Sequence, residues 1–186
     1  MGEKKKIFAV SDVKGYFLPL ITALCEAGFD ENDPNHLFIG CGNLFGDEGD
    51  GGDVFRFVSK LENKILIRGN REEPVALDSV DYFETAGYIF VSGWLPNSQD
   101  GKWRHASEKE WCAAREIRWY EFYGVNDVIP GKTLVCGNGP TRFAYAFDMR
   151  ELGDSGIYYG ERMIAIDAGV ASSGRVNVLV IEDELY

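Results

Sequence analysis

Six times in this chain a short apolar run stops at a glycine- or serine-marked polar junction, and this repetition narrows the fold more than any other feature. The junctions are Ser11-Asp12, Gly42-Asn43, Gly69-Asn70, Ser92-Gly93, Gly137-Asn138 and Asp167-Ala168-Gly169. In open α/β sheets, ligand sites lie beyond the carboxyl ends of the strands. Glycine there lets the backbone turn sharply and approach a ligand closely. One such junction is an ordinary turn. Six of them, after six candidate strands, point to one shared site built from many loops.

The spacing of apolar residues predicts strands at 7–10, 36–40, 64–67, 88–91, 133–136, 163–166 and 176–181. It predicts helices at 18–27, 54–61 and 108–123, the first terminated by Gly28. Residues 46–53, rich in Gly and Asp, and the polar residues 96–104 read as loops. The last two strands are expected to pair through a turn at 172–174. The order is βαβαβ, then a strand, a long helix and further strands, which is an α/β pattern with an antiparallel later part.

With 186 residues, the chain is expected to form a single domain over 1–186. A formal net charge of −11 speaks against nucleic acid and anionic membrane surfaces as partners, since no excess of cations is present to neutralise phosphates. No run approaches the roughly 18 apolar residues of a membrane-spanning helix. The cysteines Cys25, Cys41, Cys112 and Cys136 fit no zinc spacing. Cys41 and Cys136 lie in apolar runs and read as buried free thiols, which suits a reducing cytoplasm. The two histidines, His36 and His105, lie away from every junction, so no Ser-His-Asp or Cys-His arrangement can be assembled. His36 opens a strand, and His105 sits near a helix start with Ser107 as N-cap.

The segments SDVKG at 11–15, CGNLFGDEG at 41–49, RGNREE at 68–73, VSGWLP at 91–96, GKTLVCGNGPT at 131–141 and IAIDAGVASSGRVNVLVIED at 164–183 follow a recognisable order. Together they resemble the calcineurin-like metallophosphoesterases, in the bacterial branch of serine/threonine or diadenosine-tetraphosphate phosphatases, over nearly the whole length. The resemblance implies a two-sheet α/β sandwich flanked by helices. It also implies two divalent cations, such as Mn, Fe or Zn, that clamp a phosphate and activate a hydroxide.

Against that pattern the ligand positions are depleted. Asp12 keeps the first carboxylate, but Lys14 stands at the following histidine position. Asn43 replaces the carboxylate that bridges both metals, and Gly46 the second Asp. Asn70 survives as a family metal ligand, while Arg71 replaces the histidine beside it. Ser92 replaces another histidine, and Asn138 and Pro140 replace two more. An ammonium has no lone pair and repels a cation, and a neutral amide does not offset two dications. The expectation is a catalytically impaired phosphatase homologue that needs no metal cofactor. Asp12 and Asn70 remain as remnants, and Lys14, Asn43, Arg71, Ser92 and Asn138 are candidate binding residues. Two readings of the cations stay open. They hold a phosphate-type anion, or Lys14 pairs with Asp12 and Arg71 with Glu72, Glu73 or the acidic loop. The alternative function is a working phosphoesterase with one metal on Asp12, Asn43, Asn70 and Asn138. The expected partner is a phosphate-containing small molecule or a protein, with oligomeric state open.

The acidic residues Asp47, Glu48, Asp50 and Asp53 lack the EF-hand alternation and read as a solvated loop. Trp103, Trp111, Trp119, Tyr120, Phe122 and Tyr123 either pack the long helix on the sheet or form an exposed apolar face for a partner.

Overall fold

The computed structural model describes residues 4–46, 49, 51–71, 77–96, 99–122, 131–143 and 154–185. Two sheets carry the fold. In the first, β1 (Lys4–Val10), β2 (His36–Cys41) and β3 (Lys64–Ile67) run parallel, and β9 (Leu179–Glu184) runs antiparallel on the far side of β1, giving the order β3-β2-β1-β9. The second has the order β4-β5-β6-β8-β7. There β5 (Tyr88–Phe90), β6 (Thr133–Cys136) and β8 (Met163–Ala165) are parallel, and the two-residue strands β4 (Phe83–Glu84) and β7 (Tyr158–Tyr159) are antiparallel edges.

Strand alternation sorts side chains into layers. Ile7 and Ala9 of β1, with Leu37, Ile39 and Cys41 of β2, face Phe90, Val135 and Ile164 of the second sheet across the central core. Phe8, Val10 and Phe38 face the other way, onto α1 (Phe17–Glu26) and α2 (Gly51–Lys60), which contribute Leu20, Leu24, Val54 and Val58. On the outer face of the second sheet, Ile89, Leu134, Cys136 and Ala165 pack against Trp94, Trp103, Trp111 and Trp119. All four tryptophans are buried, so these rings pack the wall onto the sheet and present no apolar face outside. The side chain of Phe122 and residue Tyr123 lie outside the described residues. Cys41 and Cys136 are buried free thiols, with their ionisation pushed up by burial, whereas Cys25 and Cys112 are exposed. No helix among the described residues is long and apolar enough to cross a membrane.

Several expectations need correction. The predicted helix over 108–123 ends early: α3 spans Glu108–Glu116, Ile117 is extended, and a 3-10 turn follows at Trp119–Phe122. The break frees the carbonyls of Arg115 and Ile117 for the amide of Asn138 and turns Trp119 into the core. Residues 99–105 form a 3-10 helix, not a loop, with Trp103 as its buried anchor. Helix α2 starts at Gly51, inside the predicted loop, where its backbone packs on the carbonyls of Phe45 and Gly46. Asp47, Glu48 and Asp50 lie outside the described residues. The last two strands do not pair with each other. β8 belongs to the second sheet, α4 (Val170–Ser173) crosses over, and β9 instead covers the open edge of β1. Ser107 does cap α3, with the Glu110 carboxylate accepting from its backbone N–H and its hydroxyl.

Candidate functional site

All six junctions leave the carboxyl ends of parallel strands: β1, β2 and β3 in one sheet, β5, β6 and β8 in the other. Backbone bonds extend the pairing past the strands. Asp12 N–H donates to Gly42 O, Lys14 N–H to Asn43 O, Gly137 N–H to Ser92 O and Thr141 N–H to Asp167 O. The loops are thereby held in register on one edge of the sandwich. Glycine is required at several of these crossings, Gly69 and Gly137 among them. A Cβ on Gly69 would sit 2.3 Å from Asn43 Oδ1, and one on Gly137 would sit 2.7 Å from Asp12 Oδ2.

Among the described residues, the non-glycine positions with positive φ are Asp12 (50°), Lys14 (51°), Asn43 (54°) and Asn138 (47°). Left-handed backbone is costly for residues with a Cβ and persists where surrounding contacts over-determine it. All four such residues belong to this one cluster.

The cluster is a closed set of hydrogen bonds. Arg71 N–H donates to Asn43 Oδ1 at 3.1 Å. Because a backbone N–H can only donate, this bond fixes which end of the Asn43 amide is oxygen. The Asn43 NH2 group then donates to Asp12 Oδ1 (3.0 Å) and Asn70 Oδ1 (2.9 Å). The Asn70 amide nitrogen donates onward to Glu116 Oε2 on α3. Asp12 Oδ2 accepts from Asn138 N–H at 2.8 Å. The Asn138 side chain turns away, donating to the carbonyls of Arg115 and Ile117. Asp167 accepts from Gly139 N–H (2.9 Å) and Gly169 N–H (2.7 Å). Burial raises the pKa of Asp12, while the Asn43 amide, the Asn138 N–H and the Lys14 charge pull it down. Burial, and then the charge of Asp12, push Asp167 up to about 7.

A cleft of about 230 Å³ opens over this cluster, with Asp12, Lys14, Asn43, Arg71 and Asn138 in its lining. Five sequence-predicted residues therefore share one cavity. Asn70 lies behind it, bridging Asn43 and Glu116. Ser92 is buried against Gly42 and does not line the cleft, and its hydroxyl has no partner among the described residues. Lys14 makes no ion pair with Asp12. No salt bridge among the described residues includes Lys14, Arg71 or Arg118. Glu72 and Glu73, the partners considered for Arg71, lie outside the described residues.

Sequence reasoning missed Arg118, Tyr120 and Phe143, which complete the cleft wall, and Glu116 behind it. Arg118 falls inside the helix expected over 108–123; with the helix ending at Glu116, it lines the cleft. His36 packs between Phe8 and Phe29 away from the cleft, and His105 is exposed.

Among solved structures, a protein named provisionally as a diadenosine tetraphosphatase matches with a TM-score of 0.66 and 13% identity, over 98% of this chain and 94% of its own. A serine/threonine phosphatase of Saccharomyces cerevisiae, similar to human phosphatase PP5, matches with a TM-score of 0.53 and 12% identity, over 98% of this chain and 80% of its own. No family model and no curated protein sequence matches the chain. This chain has the calcineurin-like metallophosphoesterase fold.

Metallophosphoesterase folds imply divalent cations at this edge, and the donor set here does not fit a pair of them. Asn43, where the resemblance implies a carboxylate, presents the NH2 end of its amide to Asp12 and Asn70, and a dication needs lone pairs there. The Asn138 side chain is committed to α3 carbonyls. Lys14 and Arg71 add positive charge to the same cleft. Among the described residues, no group of three His, Cys, Asp or Glu side chains converges.

Proposed function

We propose that this chain is a metal-free homologue of the phosphatases that binds a phosphate-type anion in the cleft and does not hydrolyse it. The observation that carries the reading is the Asn43 amide, held with its donor end against Asp12 while Lys14, Arg71 and Arg118 line the space above. Two carboxyl groups also face the cleft, yet both oxygens of each already accept hydrogen bonds, and Asp167 is half neutral near pH 7. Three guanidinium or ammonium groups, none of them in an ion pair among the described residues, outweigh them. Left-handed backbone at Asp12, Lys14, Asn43 and Asn138 supports a preorganised site in place of a decayed one. The buried thiols Cys41 and Cys136 suit a reducing, cytoplasmic setting.

The test joins metal analysis of the purified protein, sulfate titration by calorimetry and turnover of p-nitrophenyl phosphate with added Mn²⁺. Sulfate binding that Lys14→Gln weakens several-fold, without metal and without turnover, is the expected result. Turnover with Mn²⁺ that Asp12→Ala abolishes would overturn the proposal in favour of a depleted but working phosphoesterase.

A further inference from the structure

The cleft has an apolar side that an inorganic anion does not use. Phe143 lines it and is 39% exposed, in a chain that buries all four of its tryptophans. Phe143 is held in place: its ring meets Tyr120 edge-on at 5.5 Å, and the Arg142 guanidinium lies 5.1 Å from its centroid. Arg142 is itself tied to Ser172 Oγ at 2.6 Å. Tyr120 packs edge-on against the buried Trp119, whose Nε1–H donates to Gly139 O at 2.6 Å. The Tyr120 hydroxyl in turn accepts from Arg118 at 3.1 Å. One wall thus carries a cation and two aromatic rings, anchored to the core and to the site loop at Gly139.

We infer that the ligand is a small phosphate ester whose organic part is a planar ring, with the phosphate at Lys14, Arg71 and Arg118 and the ring against Phe143 and Tyr120. Aromatic faces select flat groups by stacking without needing a particular hydrogen-bond pattern. Size limits the ester. About 230 Å³ falls below the roughly 300–1,000 Å³ of cavities that take drug-sized ligands. That space suits one phosphate and one planar aromatic ring system better than a ligand with two of them. The inference rests on the proposed anion site and adds the class of ester to it.

The experiment compares inorganic phosphate, methyl phosphate, phenyl phosphate and adenosine monophosphate by calorimetry on the full chain, wild type and Phe143→Ala. Phenyl phosphate, the nucleotide or both bind about ten-fold more tightly than methyl phosphate, and in Phe143→Ala that ratio falls to about one. Phe143→Trp retains the gain. Which ester shows it tells an aryl phosphate from a nucleoside phosphate. Equal affinity for all four, or a ring preference that survives Phe143→Ala, overturns this inference and leaves the anion site standing. No binding of any of them overturns both.

Discussion

Replacing Asn43 with Asp tests whether its amide is a hydrogen-bond donor to Asp12, on which the site's chemistry turns. Asn43 is 3% exposed, and its NH2 group serves Asp12 Oδ1 at 3.0 Å and Asn70 Oδ1 at 2.9 Å. A carboxylate there accepts from Arg71 N–H as before but turns both other contacts into oxygen facing oxygen. Losing a hydrogen bond to a charged group costs about 1.5–3 kcal/mol and a neutral one about 0.5–1.5 kcal/mol, so the loss is about 3 kcal/mol before repulsion is added. Two buried carboxylates in contact do not both ionise, and the pair takes up a proton instead. The new group's folded pKa is therefore raised above its unfolded value. Stability that it retains at acid pH is lost as pH rises, so Asn43→Asp costs least near pH 5 and most near pH 8. For a chain of this size, about 3 kcal/mol corresponds to a drop in Tm of roughly 6–12 °C. Urea unfolding followed by the fluorescence of the four buried tryptophans measures the loss directly. An Asn43→Asp protein as stable as wild type at pH 8, with chelator present, refutes the donor assignment.

Sulfate keeps its charge from pH 6 to 8, so its affinity reports the protein alone. With Asp167 pushed up to about 7, lowering the pH through that range removes a negative charge from the cleft and strengthens sulfate binding several-fold, and Asp167→Asn flattens the profile. A flat profile in the wild type contradicts that assignment. The same shift makes folding less favourable as pH rises from 3.8 to about 7, because the folded chain holds the proton more tightly than the unfolded one. Gly137→Ala drives a methyl group to 2.7 Å from Asp12 Oδ2 and lowers Tm by roughly 4–8 °C, for an overpacking cost of about 2 kcal/mol. Gly52→Ala, in the first turn of α2 where an added methyl meets nothing within 4 Å, raises Tm by a few degrees; thermal melts of the two variants that move together would contradict the steric account.

The core strands were legible because alternation and apolar runs are local signals. Residues 64–67 and 133–136 coincide with β3 and β6, and all six junctions fall at strand ends on one edge of the sandwich. Strands β4 and β7, two residues each, carry no periodicity to detect. The helix break at Ile117 has no local cause either, since neither Gly nor Pro stands there. It comes with bonds from Asn138, distant in sequence, to the freed carbonyls. For that reason Lys14, Asn43, Arg71 and Asn138 could be read as candidates from junctions and motif spacing, whereas Arg118 and Tyr120 could not. The partner of β9 was misread on similar grounds: an apolar run shows that a strand exists but not which edge it covers.

The pairing of β9 with β1 also bears on how the chain is made. Lys4 lies opposite Glu184 and Ala9 opposite Leu179, so one flank of β1 is completed by residues far along the chain. Bringing such distant segments together is slow, and until then the nascent protein shows an unpaired edge to its neighbours. Asp12, at the tip of that strand, has its surroundings completed only when β9 docks, which makes residues 179–184 a natural point for kinetic failure of folding.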